Sequence, residues 1–557
     1  MASEGFHSKN EIGQPAQSFP SMWGDTFISK NIDTHEVQVK YDESVAPLRE
    51  QVREMLMAKE SKTSTDKIAL IDLLERLGLS YHFEKEIDEH LELIFRESSA
   101  SNFIAMEKYD LFNTSLLFRL FRQHGYIIPC GVFDRFMKDT DDEFSSDLKS
   151  DIKGLLSLYE ATGVRIQGEN VLEEAITFTT YHLNRFRSEI DSNLLIREKV
   201  SRALHQSIHR EVPIIGARYY IPIYEKEESS NELIVRFAKL NFNYLQSLYQ
   251  KELFDLTRWW RDSKICWKVP YVRDRIVESY VWGVGMNYEP QYSFARTAVA
   301  KAVQLTAVLD DTYDTYAPLE DLEIFTQVLQ SAEIGEIDRL PDYQKEIYKF
   351  IWRMYEEFDS EASKHGKHYA CSYFKESVKQ LYLAYHKEAN WYRRNHVPPF
   401  EDVVSLGLVT STLFMLVSAS YLIGPATQPH FEWLISKPQI AVATAHFGRY
   451  MNDRATNERE SKIFNDGENV TAVDCYMKQY GVSKEEALNK FAQLAEEMWM
   501  TMNKEWVETV SVPRQCLRPF LSYGRLAITC LEKGDGFTYP EEVIKSHILA
   551  LFVDPIL

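Results

Sequence analysis

Two acidic clusters stand apart in this chain by residue type and spacing. The first lies in AVQLTAVLDDTYDTYA, where Asp310, Asp311 and Asp314 follow an apolar helical run. On a helix, Asp310 and Asp314 sit one turn apart on one face, with Asp311 about 100° round the axis. Carboxylates at the end of an otherwise buried helix are costly unless positive charge compensates them. Magnesium suits that task, because this hard cation binds carboxylate and phosphate oxygen together. A solvated acidic helix end would give the same pattern. The second cluster comes about 140 residues later, in HFGRYMNDRATNERESK. Asn452, Thr456 and Glu460 recur at four-residue steps and line an amide, a hydroxyl and a carboxylate along about 12 Å of one helix face. Such a trio can hold a divalent ion with less negative charge than three aspartates. Either cluster alone is open to a plain polar-helix reading; two of them facing each other across a helical pocket point to metal chemistry.

Basic and aromatic residues complete the set. PYVRDRIVESYVWG places Arg273 and Arg275 about 35 residues before Asp310, and Arg449 lies three residues before Asn452, roughly one helical turn. Guanidinium forks pair bidentately with phosphate oxygens and keep their proton. A surface loop of mixed charge is the alternative for RDR. Aromatic residues make up 13% of the chain, and most belong to the core. A cation in a dry pocket nevertheless needs aromatic faces, which stabilise it without supplying a nucleophile. Trp282 and Phe537 are candidates for that lining.

The elements that position these groups read as helices. In TDKIALIDLLERLGLS, Thr65 caps a helix on which Ile68, Ile71, Leu74 and Leu77 recur at three- and four-residue steps, and Gly78 ends it. Ile87, Leu91 and Ile94 repeat the spacing. Sustained period-two alternation is almost absent, so the fold class is all-α. Residues up to about 30 read as an irregular polar strap. The polar stretch EKEESSNE (225–232) marks a boundary, giving an N-terminal helical domain over 1–228 and a C-terminal domain over 229–557. No short repeat of fixed period is visible. With 557 residues, a core of substantial size is expected. The net charge of −20 argues against a nucleic-acid partner, though not against an anionic small substrate held by local cations. Six scattered cysteines without CxxC spacing read as reduced thiols. No apolar run of about 18 residues is counted, and the N-terminus lacks the apolar core of a secretory signal, so a cytoplasmic, monomeric protein without a membrane span is expected.

Taken in order, these landmarks resemble the plant class I terpene synthases, and within them the cytosolic sesquiterpene synthases. The resemblance runs over nearly the whole chain: SFPSMWGDTF (18–27), RLGLSYHFEKEI (76–87), LLFRLFRQHGY (116–126), LTRWWRD (256–262), YVRDRIVESYVWG (271–283), EPQYSFAR (289–296), DDTYD (310–314), EIDRLPDYQK (336–345), NDRATNERE (452–460) and GDGFTYPEEV (534–543). It implies two helical domains with catalysis in the second, and three magnesium ions, with manganese as an alternative. Asp310, Asp311 and Asp314 would form one metal motif, and Asn452, Thr456 and Glu460 the other, with Asp453 as its accompanying acid. Arg273, Arg275 and Arg449 would bind diphosphate. Trp282 would line the pocket, Asp535 and Phe537 would belong to a closing loop, and Thr410, Ser411 and Thr412 would form a helix break beside the cation. The implied reaction is ionisation of farnesyl diphosphate to a sesquiterpene hydrocarbon or alcohol, with geranyl diphosphate as the alternative substrate.

The chain also departs from that pattern. Gly13 and Gln14 stand where the family often has an arginine pair ahead of Trp23, Asn452 stands where many relatives carry Asp, and Cys530 and Phe537 replace common tyrosines. Asp139, Asp141 and Asp142 form a DxDD sequence, the acid motif of class II cyclases, but the polar EFSSDLKSD after it offers nothing to desolvate the middle aspartate. A chain-elongating prenyltransferase would carry two aspartate-rich motifs, whereas the second here is Asn/Thr/Glu. A non-catalytic helical scaffold is the remaining rival.

Overall fold

The computed structural model describes residues 20–29, 32–58, 64–100, 106, 108–138, 144–189, 193–331, 334–394, 396–463 and 471–557, leaving out the side chains of 64, 100, 334 and 458–463. Asp139, Asp141, Asp142, Gly13 and Gln14 lie outside these residues. Helices build the described chain, which has no β-strand and one isolated bridge, Met137 to Phe144. The sequence periodicities account for the helices directly. Ser64–Arg76 buries Ile68, Ile71 and Leu74, and Gly78 (φ 68°) turns the chain away after it. Glu84–Ala100 buries Ile87, Leu91 and Ile94.

The polar stretch after Glu225 is the turn between the helices Pro213–Glu225 and Glu232–Ser263, and Asn231 caps the second by accepting from Leu233 and Ile234 N–H. Packing crosses this turn. Tyr41 of the helix Thr34–Met57 stacks on Tyr244 at 3.9 Å between ring centroids and donates to Asn241 at 2.7 Å. Further along, Arg518 reaches both Glu84 (2.6 Å) and Glu289 (3.2 Å), and His209 lies 2.9 Å from Asn503 Oδ1. Between the two halves lies a cavity of about 1020 Å³, lined by Arg76, His124, Tyr288 and Arg525 among others. Neither acidic cluster contributes to its walls.

Helices that carry the clusters pack around one another with glycines at the tightest crossings. Ile276–Met286 meets Ser293–Asp310 at Gly283, where a Cβ would lie 2.2 Å from the Arg296 carbonyl oxygen. Arg296 is fully buried and holds Glu252 at 2.9 and 2.7 Å. Its charge is thereby paired inside the core, which a buried guanidinium requires. Gly448, on Gln439–Ile463, faces the Tyr523 ring in the same manner.

Contrary to the sequence reading, one segment is long and apolar enough to cross a bilayer. Phe400–Tyr421 meets that test, yet 56% of its apolar window is buried in the protein. It is also two helices, Phe400–Thr410 and Leu413–Tyr421, interrupted where Thr412 takes a left-handed backbone (φ 65°). Its apolarity is that of a core helix.

The N-terminal strap docks onto the same half. Trp23 is buried and donates Nε1–H to Glu278 Oε1 at 2.8 Å, Phe27 packs edge-on to Phe552, and Arg261 donates to the Gly24 carbonyl at 2.8 Å. Glu278 is fully buried, and its Oε2 has no hydrogen-bond partner among the described residues. Burial pushes its carboxyl up to about 7, against the opposing pull of the Trp23 N–H.

Two outcomes follow from this packing. Gly283→Ala forces a methyl against backbone and is expected to cost about 1–3 kcal/mol. Gly285→Ala meets the movable Leu526 side chain and should cost less. Equal thermal midpoints for the two variants would refute the crossing argument. The second outcome concerns pH. A carboxyl whose folded pKa lies above its ordinary 4.5 keeps its proton in the folded chain after the unfolded chain has lost it. Its contribution is therefore complete below about pH 4.5 and lost as pH rises to about 7. Thermal melts of the metal-free protein should fall across that window by on the order of 3 kcal/mol more than those of Glu278→Gln; parallel curves would dismiss the role of Glu278.

Candidate active site and metal centre

A largely apolar helix, Ser293–Asp310, leads into the first acidic cluster and then widens into a π-turn over Asp311–Tyr316. Ala317 N–H reaches back five residues to the Thr312 carbonyl at 3.1 Å. The aspartates therefore do not lie on a regular α-helix, as their spacing predicts. The local cause is Thr312, whose hydroxyl donates to the Val308 carbonyl at 2.6 Å and sits 3.1 Å from the Tyr271 hydroxyl. A threonine bonding back to its own helix bends it, and π-turns recur at functional sites. Tyr313 anchors the turn through Thr326 at 2.9 Å.

Arg273 closes over these acids. Its Nη2 donates to Asp310 Oδ2 at 2.5 Å, its Nε lies 2.8 Å from Asp311 Oδ1, and its backbone N–H donates to Asp311 Oδ2 at 2.8 Å. Burial pushes the Asp311 carboxyl up to about 6, with Arg273 drawing it back down and Asp310 adding to the rise. Arg275 does something different. Its guanidinium donates to the carbonyls of Phe537 (3.0 Å), Thr538 (3.1 Å), Pro20 (3.1 Å) and Asp274 (2.9 Å), tying strap and 535–539 turn to the start of one helix. The sequence reading assigns Arg275 to diphosphate; here its donors serve backbone oxygens. Asp535 accepts from Phe537 and Thr538 N–H at 3.2 and 3.0 Å and so shapes that turn from within. The Phe537 ring lies 5.6 Å from the Arg273 guanidinium carbon.

The second cluster lies on Gln439–Ile463. Thr456 is buried and donates its hydroxyl proton to the Asn452 carbonyl at 3.0 Å, which leaves its oxygen able to accept. Asp453 is buried and ion-paired with Arg449 one turn earlier, and burial raises its pKa despite that partner. The side chain of Glu460 lies outside the described residues.

Between the clusters stands Glu388, on the helix Ala370–Arg393, which the sequence reading passed over. Burial pushes it up to about 7; Arg449 opposes that, while Asp310 from the first cluster and Asp453 from the second both add to it. Tyr385, one turn earlier, has its phenol raised by burial and then by Asp310, Asp314 and Glu388. The two clusters thus act on common neighbours, which brings both to the vicinity of Glu388. Thr410 donates to Glu388 Oε1 at 3.3 Å, and Tyr523 donates to the Ser411 carbonyl at 2.6 Å, so the helix break adjoins the same site. Trp282 meets Tyr523 at 5.3 Å between ring centroids. Cys530 is buried, its thiol pushed up to about 12 chiefly by burial.

Among the described residues, no three His, Cys, Asp or Glu side chains are gathered closely enough to hold a metal ion. Arg273 engages Asp310 and Asp311, and Arg449 engages Asp453. The donor set itself is all oxygen and carries more negative charge than these two arginines offset. That chemistry suits hard divalent cations.

The comparisons with known proteins agree with this geometry. Residues 22–204 match the model of the terpene synthase N-terminal domain, and residues 261–501 match that of the terpene synthase family metal binding domain. Gamma-cadinene synthase of Ocimum basilicum is 42% identical over 553 residues, 98% of each chain. Tau-cadinol synthase of Lavandula angustifolia is 42% identical, over 97% of this chain and 96% of its own. Among solved structures, isoprene synthase of grey poplar, in complex with three Mg2+ ions and dimethylallyl-S-thiolodiphosphate, superposes with a TM-score of 0.86 at 31% identity, over 94% of this chain and 99% of that one. A limonene synthase with 2-fluorolinalyl diphosphate gives 0.89 at 27% identity, over 97% and 99%. Helical architecture, paired oxygen-rich clusters and full-length similarity lead to one conclusion: this chain belongs to the terpene synthase family.

Proposed function

We propose that the chain is a sesquiterpene synthase that ionises farnesyl diphosphate and guides the allylic cation to a sesquiterpene hydrocarbon or alcohol. The observation that carries this reading is the convergence of both acidic clusters on Glu388, with Arg273 and Arg449 at their edges. Full-length similarity to cadinene and cadinol synthases supports the choice of a C15 substrate. We assign residues 1–228 to a non-catalytic helical domain and 229–557 to the catalytic one, and we take the enzyme to act as a cytoplasmic monomer.

Asp310, Asp311 and Asp314 on one side, and Asn452, Thr456 and Glu460 on the other, would hold magnesium. Bound there, the ions supply Lewis-acid charge that stabilises the departing diphosphate. The protein's own contribution is electrostatic preorganisation. Arg449 sits one turn before Asn452 and offers a guanidinium to phosphate oxygens. Arg273 leaves the aspartates as their charge is otherwise neutralised and becomes available to the same anion. Trp282 and Tyr523 present ring faces to the cation and no strong nucleophile. The turn shaped by Asp535 screens the chamber from water until the cation loses a proton or captures one water molecule.

Asp310→Asn should lower turnover at saturating magnesium by about 100-fold or more while leaving the helical circular dichroism unchanged. Wild-type activity in that variant would exclude Asp310 from the metal site. Gas chromatography of products should show a C15 terpene from farnesyl diphosphate formed with the higher kcat/KM; a preference for geranyl diphosphate would make the enzyme a monoterpene synthase. Condensation with added isopentenyl diphosphate would instead identify a chain-elongating enzyme.

A further inference from the structure

Thr538 is the point at which the covering turn meets the arginines of the RDR segment. It is buried, at 2% exposure. Its N–H donates to Asp535 Oδ1 at 3.0 Å, and its carbonyl accepts from Arg275 Nη2 at 3.1 Å. These two contacts use backbone atoms. The side chain makes a third: Thr538 Oγ1 accepts from Arg273 Nη1 at 3.0 Å. The opposite edge of that guanidinium engages Asp310 and Asp311. One planar cation therefore spans from the covering turn to the first acidic cluster, with a hydroxyl holding one end and two carboxylates the other.

We propose that Thr538 is a positioning residue whose hydroxyl sets how firmly Arg273 occupies Asp310 and Asp311, and hence how readily those carboxylates accept a divalent cation. The proposal rests on the reading of the 310–314 cluster as a metal site. A guanidinium and a divalent ion compete for the same oxygen lone pairs. The ion prevails more easily when Arg273 has another acceptor to keep. Thr538 supplies it on the side away from the aspartates. Without that hydroxyl, Nη1 loses an acceptor in a buried place, where an unmade hydrogen bond is costly. The guanidinium then turns fully onto the carboxylates and excludes the ion.

The test is Mn2+ binding followed by electron paramagnetic resonance, with inorganic diphosphate present and no prenyl substrate. Thr538→Val should raise the Mn2+ concentration for half-occupancy by about 10- to 100-fold, the effect of one hydrogen bond to a charged group. Thr538→Ser, which restores the oxygen, should bind within about twofold of wild type. A role confined to stability would lower the thermal midpoint of Thr538→Val and leave its Mn2+ midpoint in place, which would overturn the proposal. Arg273→Lys provides the coupling control: in that background Thr538→Val should add little, and an undiminished effect would also overturn it. If Thr538→Val does not fold, Thr538→Ala is read in its place with the same outcomes. Asp310→Asn separates the two readings. Normal Mn2+ binding in that variant would remove the metal site itself, whereas its loss there together with a wild-type midpoint in Thr538→Val would remove only Thr538.

Discussion

The site depends on compensating several carboxylates in a place largely shut off from water. Asp310 from one helix and Asp453 from a second both act on Glu388 of a third, and burial raises the pKa of Asp311, Glu388 and Asp453. Ionised acids in such surroundings cost several kcal/mol each unless matched by cations. Two arginines match part of that charge. Arg273 holds Asp310 and Asp311, and Arg449 holds Asp453. What remains is a cluster whose own electrostatics favour uptake of further positive charge.

That constraint explains why two arginines two residues apart have separate duties. Arg273 addresses carboxylates, so its position responds to the charge of the pocket. Arg275 addresses four carbonyl oxygens, including Pro20 in the strap and Phe537 and Thr538 in the covering turn. A guanidinium can do this because its fixed fork carries five donors; a lysine ammonium has three and no planar geometry. Arg275 fastens the strap and the 535–539 turn, while Arg273 pairs with the acids. Trp23 adds a second fastening through Glu278, one turn further along the same helix.

The parts of this arrangement legible in the sequence are those encoded locally. DDTYD, RDR and NDRATNERE announce themselves by residue type and spacing, and the apolar periodicity of segments such as 64–76 gives the all-α class. Glu388 was not legible: it is a single acid in HKEANWY, with no companion at helical spacing to mark it. Its importance comes from Asp310 and Asp453, 78 and 65 residues away, and only packing brings them near. Thr538 and Tyr523 were hidden for the same reason, since their partners Arg273 and Ser411 lie 265 and 112 residues off. The π-turn was concealed differently. Regular α spacing fits DDTYD well, and the departure arises from Thr312 bonding back to Val308, a choice that tertiary partners such as Tyr271 help to decide.

Charge starts the reaction but does not select its course. In the proposed assignment the acidic clusters and arginines act on the diphosphate end, which every prenyl diphosphate shares, so they distinguish poorly between substrates or folded conformers. Selection has to come from the walls. In the proposed assignment one wall is the Trp282 and Tyr523 pair. Another is the helix break, where a β-branched residue, Thr412, holds a left-handed backbone that costs on the order of 1–3 kcal/mol. Tyr523 fixes the break by bonding to the Ser411 carbonyl, and Thr410 links it to Glu388. Strain held by contacts on both sides gives a wall that does not yield to the cation. Cys530 keeps its proton at neutral pH and Phe537 has no hydroxyl at all, so neither side chain is a ready proton acceptor. The course of the cascade is then set by the shape of those walls more than by acid–base groups in them, and single-atom changes there redirect it while the ionising machinery stays as it is.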